Sequence, residues 1–473
     1  MTRRLPVGRL LVVAFLALVA LGVAPSAEGA SPVVPAAAQV FRDHETTLAD
    51  RALSVLGIPA LLAVAWLLSK DRRAIKWRPV AWGIGLQILF GLVVLSPTVG
   101  DAFFSVVDQG VGRLLSFAER GADFVFQAVV PHESVHYADD GTRTTTVVIG
   151  HMSPVLKTVA FWVLPTIIFF SSLMTLLYHL GAMQPLVRLF AWAMQKTMGT
   201  SGSESLSCAS NIFVGQTEAP LVIRPFLETM TRSELHAMMV GGFATVAGGV
   251  LAVYVKLLQH VPGIAGHLVT ASIMSAPAAL AVSKILVPET EPSTTAGSLK
   301  MHVERPDANS IEAVARGATD GLLLAANVAA MLIAFIAMVA LADWMLGVVG
   351  LSLSEILGWV FRPFAFLMGV PWSESDTVGR LLGEKLVLTE LIAYIHLGEL
   401  LSSGKAVLSE RSVIITSYAL CGFANFASIG IQIGGIGAIA PSRRRDLAQL
   451  GLLAMVGGTL AAFLTANVVG ILK

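Results

Sequence analysis

The sequence predicts an all-α polytopic membrane protein with about eight transmembrane helices and two re-entrant hairpins in an inverted repeat, with interfacial helices alongside. Three observations carry this. Only 13% of the 473 residues are charged, 55% are hydrophobic and mean hydropathy is +0.75. Soluble domains carry about 25% charged residues, so lipid must solvate much of this surface. Apolar stretches of spanning length recur along the chain. Two further apolar stretches, 205–226 and 379–402, carry acidic residues and glycine and read as hairpins that enter the membrane without crossing it.

The elements follow in order. In residues 1–30, Arg3, Arg4 and Arg9 precede an apolar run at 10–23 and small residues at 24–29. That is a signal-like segment or, alternatively, an extra N-terminal helix, although the run is short for a span. Residues 31–52 read as a polar linker. Spans are predicted at 53–69, 80–96, 158–177, 238–258, 267–287, 318–345, 412–438 and 447–472. Residues 103–129 alternate apolar and charged positions at helical spacing, and 184–199 set Arg188 and Lys196 beside Phe190 and Trp192; both patterns fit interfacial helices.

Basic residues in short loops set the orientation. Lys70, Arg72, Arg73, Lys76 and Arg78 mark one cytoplasmic loop, and Arg443, Arg444 and Arg445 another. The stretch 97–156, with Glu133, Asp139 and Asp140, is then an outside loop. A net charge of +1 gives no sign of a nucleic-acid partner. Cys208 and Cys421 are far apart and read as small packed residues, with no metal or disulfide pattern. Lys284 and Asp343, near span ends, read as snorkelling or interfacial residues, Asn327 as an interhelical hydrogen bond, and Gly430, Gly434, Gly435 and Gly437 as close helix packing.

Gly242-Phe243-Ala244-Thr245 matches Gly422-Phe423-Ala424-Asn425. Each string lies within a predicted span and follows an acidic hairpin, and the predicted topology runs the two spans in opposite directions. Small residues let a helix unwind, and unwound backbone in lipid must line a cavity or bind something. Paired broken segments in two opposed halves point to a transporter's midplane site.

The densest polar run inside the membrane holds Asn211, Gln216, Thr217 and Glu218. A carboxylate at the bilayer centre costs about 2.5–3.5 kcal/mol on the insertion scale, so Glu218, and Glu390 in the second hairpin, read as functional groups. An intramembrane enzyme using this carboxylate pair would also need a nucleophile or metal, and neither motif is present; a channel is the other rival reading.

The strings NIFVGQTEAPLVIRPFLETMTRSELHAMM, GGFATVAGGVLAVYV, SAPAALAVSKILVPETE, GEKLVLTELIAYIHL and SERSVIITSYALCGFANFASIGIQIGGIGAIAP resemble the concentrative nucleoside transporter family over residues 53–473. The resemblance implies a cation-coupled nucleoside symporter of the inner (cytoplasmic) membrane, a homotrimer that is not an enzyme, with an elevator-like alternating-access mechanism. It divides the chain into a scaffold part (53–180, with the helix 318–346) and a transport part (181–290 and 375–473). Within the transport part lie hairpin 205–226, broken helix 238–258, hairpin 379–402, broken helix 412–438 and the last helix 447–472. By position, Gln216, Thr217 and Glu218 would contact the nucleobase and Val250 would pack on it. Glu390, Asn425 and Ser428 would bind the ribose hydroxyls, with Phe423 lining the pocket. Sodium as coupling ion, with the proton as alternative, would be held by Asn211, Val214, Thr245 and Val246. Hard cations want oxygen ligands, and unwound helices supply carbonyls.

Overall fold

The computed structural model describes residues 41–473 apart from 128, 130–131, 138–142, 154–155, 157, 296–306 and 403–406. The signal-like or helical segment 1–30 and the first ten linker residues, 31–40, lie outside the described residues.

Helix α1 (Leu48–Leu67) starts within the predicted linker because Thr47 and Asp50 form a capping box there. It is followed by α2 (Trp77–Val94) and the amphipathic α3 (Pro97–Phe126). Strands β1 (His132–Tyr137) and β2 (Arg143–Val148) then pair antiparallel. This hairpin and an isolated antiparallel bridge between Gln127 and Met152 are the β structure among the described residues, in a stretch that reads in sequence as an outside loop. The hairpin's signal is the β-branched run Thr144, Thr145, Thr146, Val147, Val148.

A π-helical turn at Val159–Val163 leads into α4 (Leu164–Leu180), followed by α5 (Gln184–Met198). The first hairpin comprises α6 (Gly202–Asn211), a tip at 212–218, the short α7 (Ala219–Val222) and a 3-10 turn at Arg224–Thr229. Helices α8 (Arg232–Ala244) and α9 (Gly248–Leu257) are separated by a break at 245–247, where Thr245 is extended. Helix α10 (Ile264–Leu286) precedes the 37-residue α11 (Ser310–Leu346) and α12 (Leu353–Leu367). The second hairpin is α13 (Ser375–Val387) and α14 (Glu390–Ser402). Helices α15 (Glu410–Leu420) and α16 (Phe426–Ile439) flank a second break at 421–425, and α17 (Arg444–Leu472) closes the chain.

Seven helical segments among the described residues are long and apolar enough to cross a membrane. The predicted span 412–438 is instead the pair α15 and α16, each too short alone. Burial sorts the segments: 83% of the α8–α9 window, 89% of α10 and 83% of α17 are buried, against 28% of α1 and 6% of α11. The buried segments α8, α9, α10 and α17 form the centre, whereas α11, the most apolar of the seven at mean hydropathy 2.6, is the least buried, because lipid solvates apolar side chains as well as a protein core does. Helix α2 packs on α10, α1 on α17, and α11 on α4. The rest of α11, including Leu322, Leu323, Ile333 and Ile336, is exposed.

The two basic loops lie at one end of the molecule. Lys70 N–H donates to Leu286 O at 2.9 Å, and Arg443 reaches Met230 O at 2.7 Å, beside the start of α8. Lys284 does not snorkel. It is buried at that end and pairs with buried Glu204 at 2.6 Å, while also donating to Ser233 Oγ at 2.9 Å. Asp343 accepts from Leu353 N–H at 2.7 Å, at the turn into α12. The packing reading holds for Gly435 and Gly437, which have close neighbours, but not for Gly430 and Gly434, which face open space.

Candidate functional site

The two breaks meet. Gly422, at φ +107°, adopts a backbone conformation that L side chains rarely take, and a Cβ there would stand 2.7 Å from Phe243 O and from the carbonyl carbon and oxygen of Ala244. Glycine at 422 is therefore what lets the second broken helix cross the end of α8.

Both hairpins are anchored at this crossing. Glu390 opens α14 and is buried. Its Oε1 accepts from Tyr254 Oη at 2.9 Å and its Oε2 from Asn425 Nδ2 at 2.7 Å. Asn425 caps α16: its Oδ1 accepts from Ser428 N–H at 2.8 Å, the usual role of asparagine at a helix start. Ser428 Oγ in turn accepts from Gln216 Nε2 at 3.2 Å. One hydrogen-bonded chain thus joins Glu390 of the second hairpin to Gln216 of the first. Gln432 Nε2 steadies the far end, donating to Gln216 Oε1 at 2.9 Å and Met239 O at 3.1 Å. Thr217 lies against Gly435 of α16. Phe423 is half-buried against the core.

Glu218 takes a different position. It lines a cavity of about 410 Å³ with Val214, Gly215, Gly248, Gly249 and Val250. A Cβ on Gly215 would run into its carboxylate. The cavity extends past Tyr178 and Gln184 to Asp307, Arg316 and Asp320, at the start of α11. Glu390, Asn425, Ser428, Phe423 and Gln216 do not line this cavity; Gln216 follows its lining residue Gly215 directly and carries the hydrogen bond to Ser428.

The tip of the first hairpin is tied to the first break, with Gly248 N–H donating to Phe213 O at 3.2 Å. Asn211, the last residue of α6, is buried, and neither its Oδ1 nor its Nδ2 has a protein partner. It lies beside Gly241, whose carbonyl accepts from Thr245 Oγ1 at 2.8 Å. Buried amides without partners are rare, and an orphaned amide oxygen beside a break suits a hard cation. Val246, also buried, follows Thr245. Among the described residues no group of His, Cys, Asp or Glu could hold a metal ion.

Three contributors escape the sequence reading. Tyr254 stacks on Tyr394 with centroids 4.2 Å apart and holds Glu390. Gln432 was hidden in a glycine-rich run, where an amide flanked by isoleucines is the only signal. Lys385 is a buried cation in the second hairpin, and its signal is a lysine inside an apolar stretch.

Buried polar groups converging where two interrupted helices cross, inside an apolar helical shell, define a multi-pass membrane transporter. Family models described as "Na+ dependent nucleoside transporter N-terminus", "Nucleoside recognition" and "Na+ dependent nucleoside transporter C-terminus" match residues 56–129, 160–260 and 267–470. A transporter of Bacillus subtilis, YutK, is 42% identical over 88% of this chain and 98% of its own length. Solute carrier family 28 member 3 of Mus musculus is 42% identical over 88% of this chain, which spans only 58% of that protein. The solved structure of CNTnw in an inward-facing substrate-bound state superposes with a TM-score of 0.78 at 40% identity, covering 89% of this chain and 98% of that one. The chain belongs to the concentrative nucleoside transporter family, whose members are transporters and not enzymes.

Proposed function

We propose that this chain is a sodium-coupled symporter that imports nucleosides across the cytoplasmic membrane by elevator-like alternating access. The observation that carries the reading is the hydrogen-bonded chain from Glu390 through Asn425 and Ser428 to Gln216 at the crossing of the two breaks. An ionised carboxylate offers about four lone-pair directions; Tyr254 and Asn425 use two, leaving two for vicinal ribose hydroxyls. Glu390, Asn425 and Ser428 then bind the sugar, with Phe423 as a wall. Gln216, Thr217 and Glu218 read the base, with Val250 packing on it from the cavity wall.

Sodium sits at the first break, on Asn211, Val214, Thr245 and Val246. The partnerless Asn211 side chain supports this placement, as do the sodium-dependent descriptions of the matching families. Sodium bound there stiffens the tip that carries Gln216 and Glu218. It therefore raises nucleoside affinity, and the nucleoside raises sodium affinity by the same factor. The cavity reaches Asp307 and Arg316 on the side of the basic loops, which supports an inward-open arrangement. The scaffold comprises 53–180 with 318–346, and the moving part 181–290 with 375–473. The exposed apolar face of α11, which carries an exposed Asn327 at membrane depth, supports a homotrimer contact there.

Radiolabelled uridine uptake into proteoliposomes, with sodium and proton gradients imposed separately, tests the reading. Saturable uptake driven by sodium is expected. Drive by protons alone would replace sodium with the proton, and indifference to both gradients would remove coupling.

A further inference from the structure

Lys385 is a buried group that the roles above leave unused. It lies in the last turn of α13 with its side chain 1% exposed. Its ammonium donates to Ala419 O at 2.9 Å and to Cys421 O at 3.4 Å. These carbonyls close α15 and open the second break. The last carbonyls of a helix lack intrahelical partners and form the negative end of its dipole. A buried ammonium is costly unless negative charge and hydrogen-bond acceptors surround it. Here both are supplied by the carbonyl end of α15, and Glu390, at the start of the other arm of the same hairpin, is held by Asn425, four residues beyond Cys421.

The first half of the repeat has a counterpart with the opposite character. Asn211 closes the first arm of its hairpin, as Lys385 stands in the closing turn of the corresponding arm, and each faces its own half's broken helix. Asn211 is neutral, and its amide oxygen has no protein partner. Lys385 is cationic and both its donated bonds are filled by backbone. A neutral oxygen site must take a cation from solution, whereas a lysine brings one with it.

We propose that Lys385 is the resident cation of the second break: its ammonium ties the 419 and 421 carbonyls and sets Glu390 as the acceptor of ribose hydroxyls, a service that a coupling ion renders only transiently at the first break. Lys385 is thus a positioning residue, acting on the sugar through Glu390. The inference rests on the reading of Glu390 as the ribose acceptor.

The test compares uridine with 2′,3′-dideoxyuridine in proteoliposomes, for the wild type, Lys385→Gln and Lys385→Met. Glutamine keeps a donor without the charge, and methionine keeps neither. In both variants the apparent KM for uridine should rise about tenfold or more, as for loss of one hydrogen bond to a charged group. The KM for the dideoxy analogue should stay put, so discrimination between the two collapses. Stabilisation of the purified variants by sodium alone should match the wild type, since the first break is untouched. Lys385→Gln with wild-type discrimination would overturn the proposal. Should both neutral variants fail to fold, Lys385→Gln combined with Glu390→Gln decides: recovery of folded protein supports charge pairing across the hairpin, and no recovery overturns it. A wild type that takes up no uridine in either gradient would instead reject the transport reading, independently of Lys385.

Discussion

Gly422→Ala is the sharpest probe of the crossing. At φ +107° an alanine pays about 1–2 kcal/mol in backbone strain. Its Cβ would also meet three backbone atoms of Phe243 and Ala244 at 2.7 Å. Backbone cannot rotate aside as a side chain can, so overpacking adds about 1–3 kcal/mol. A total of about 2–5 kcal/mol falls on the segment that positions Asn425. At the lower end this reduces the population of the competent pocket about 30-fold, at 1.4 kcal/mol per decade. The assay is initial uridine uptake against external concentration, with monodispersity by size-exclusion chromatography and melting temperature measured in parallel. The control is Gly430→Ala, an exposed helical glycine with nothing within 4 Å of an added Cβ. The control should transport as the wild type and melt no lower, because alanine favours helix over glycine by about 1 kcal/mol. Equal uptake by Gly422→Ala and Gly430→Ala would refute the claim that the two breaks are packed to backbone contact.

Other expectations follow from single contacts. Glu390→Gln should abolish saturable uridine uptake while the protein still elutes as the wild type; retained uptake would remove its ribose role. Lys284→Met should deplete folded protein, since it leaves Glu204 buried without its partner, a loss of about 3–5 kcal/mol. Adding Glu204→Gln should restore much of the yield, read by fluorescence-detected size exclusion. Gln432→Leu leaves Gln216 Oε1 without its donor at about 1–3 kcal/mol. It should raise the KM for purine and pyrimidine nucleosides alike, and an unchanged KM would show that Gln216 needs no support. Asn211→Leu should erase the rise in melting temperature that sodium gives the wild type, and a persisting rise would move the ion elsewhere.

Much of this arrangement is legible in the sequence. Low charge content forces a membrane solvent, and the repeated Gly-Phe-Ala string marks both breaks because only small residues let backbones come so close. Glu218 and Glu390 stand out because a carboxylate in an apolar stretch needs a reason. Other features were illegible for identifiable causes. Lys284 looked like a snorkelling residue because sequence proximity to a span end does not reveal that Glu204, 80 positions earlier, folds back against it. Tyr254 and Gln432 are ordinary residues until tertiary contact gives them Glu390 and Gln216 as partners. The β1–β2 hairpin is illegible in the sequence because a short two-stranded element gives a weaker pattern than a span. The separation of Glu218, on the cavity, from Glu390, behind it, depends on which way a side chain turns, and no spacing rule encodes that.

The contact between Gly422 and the end of α8 also constrains motion. Two rods pinned where their backbones touch cannot slide past one another without prising that joint open. Under the proposed alternating access, the halves carrying the hairpins would therefore travel as one block, with the movement taken up at its outer perimeter. There, grips such as Lys256 on Trp162 and Glu119 can be released and remade one side chain at a time.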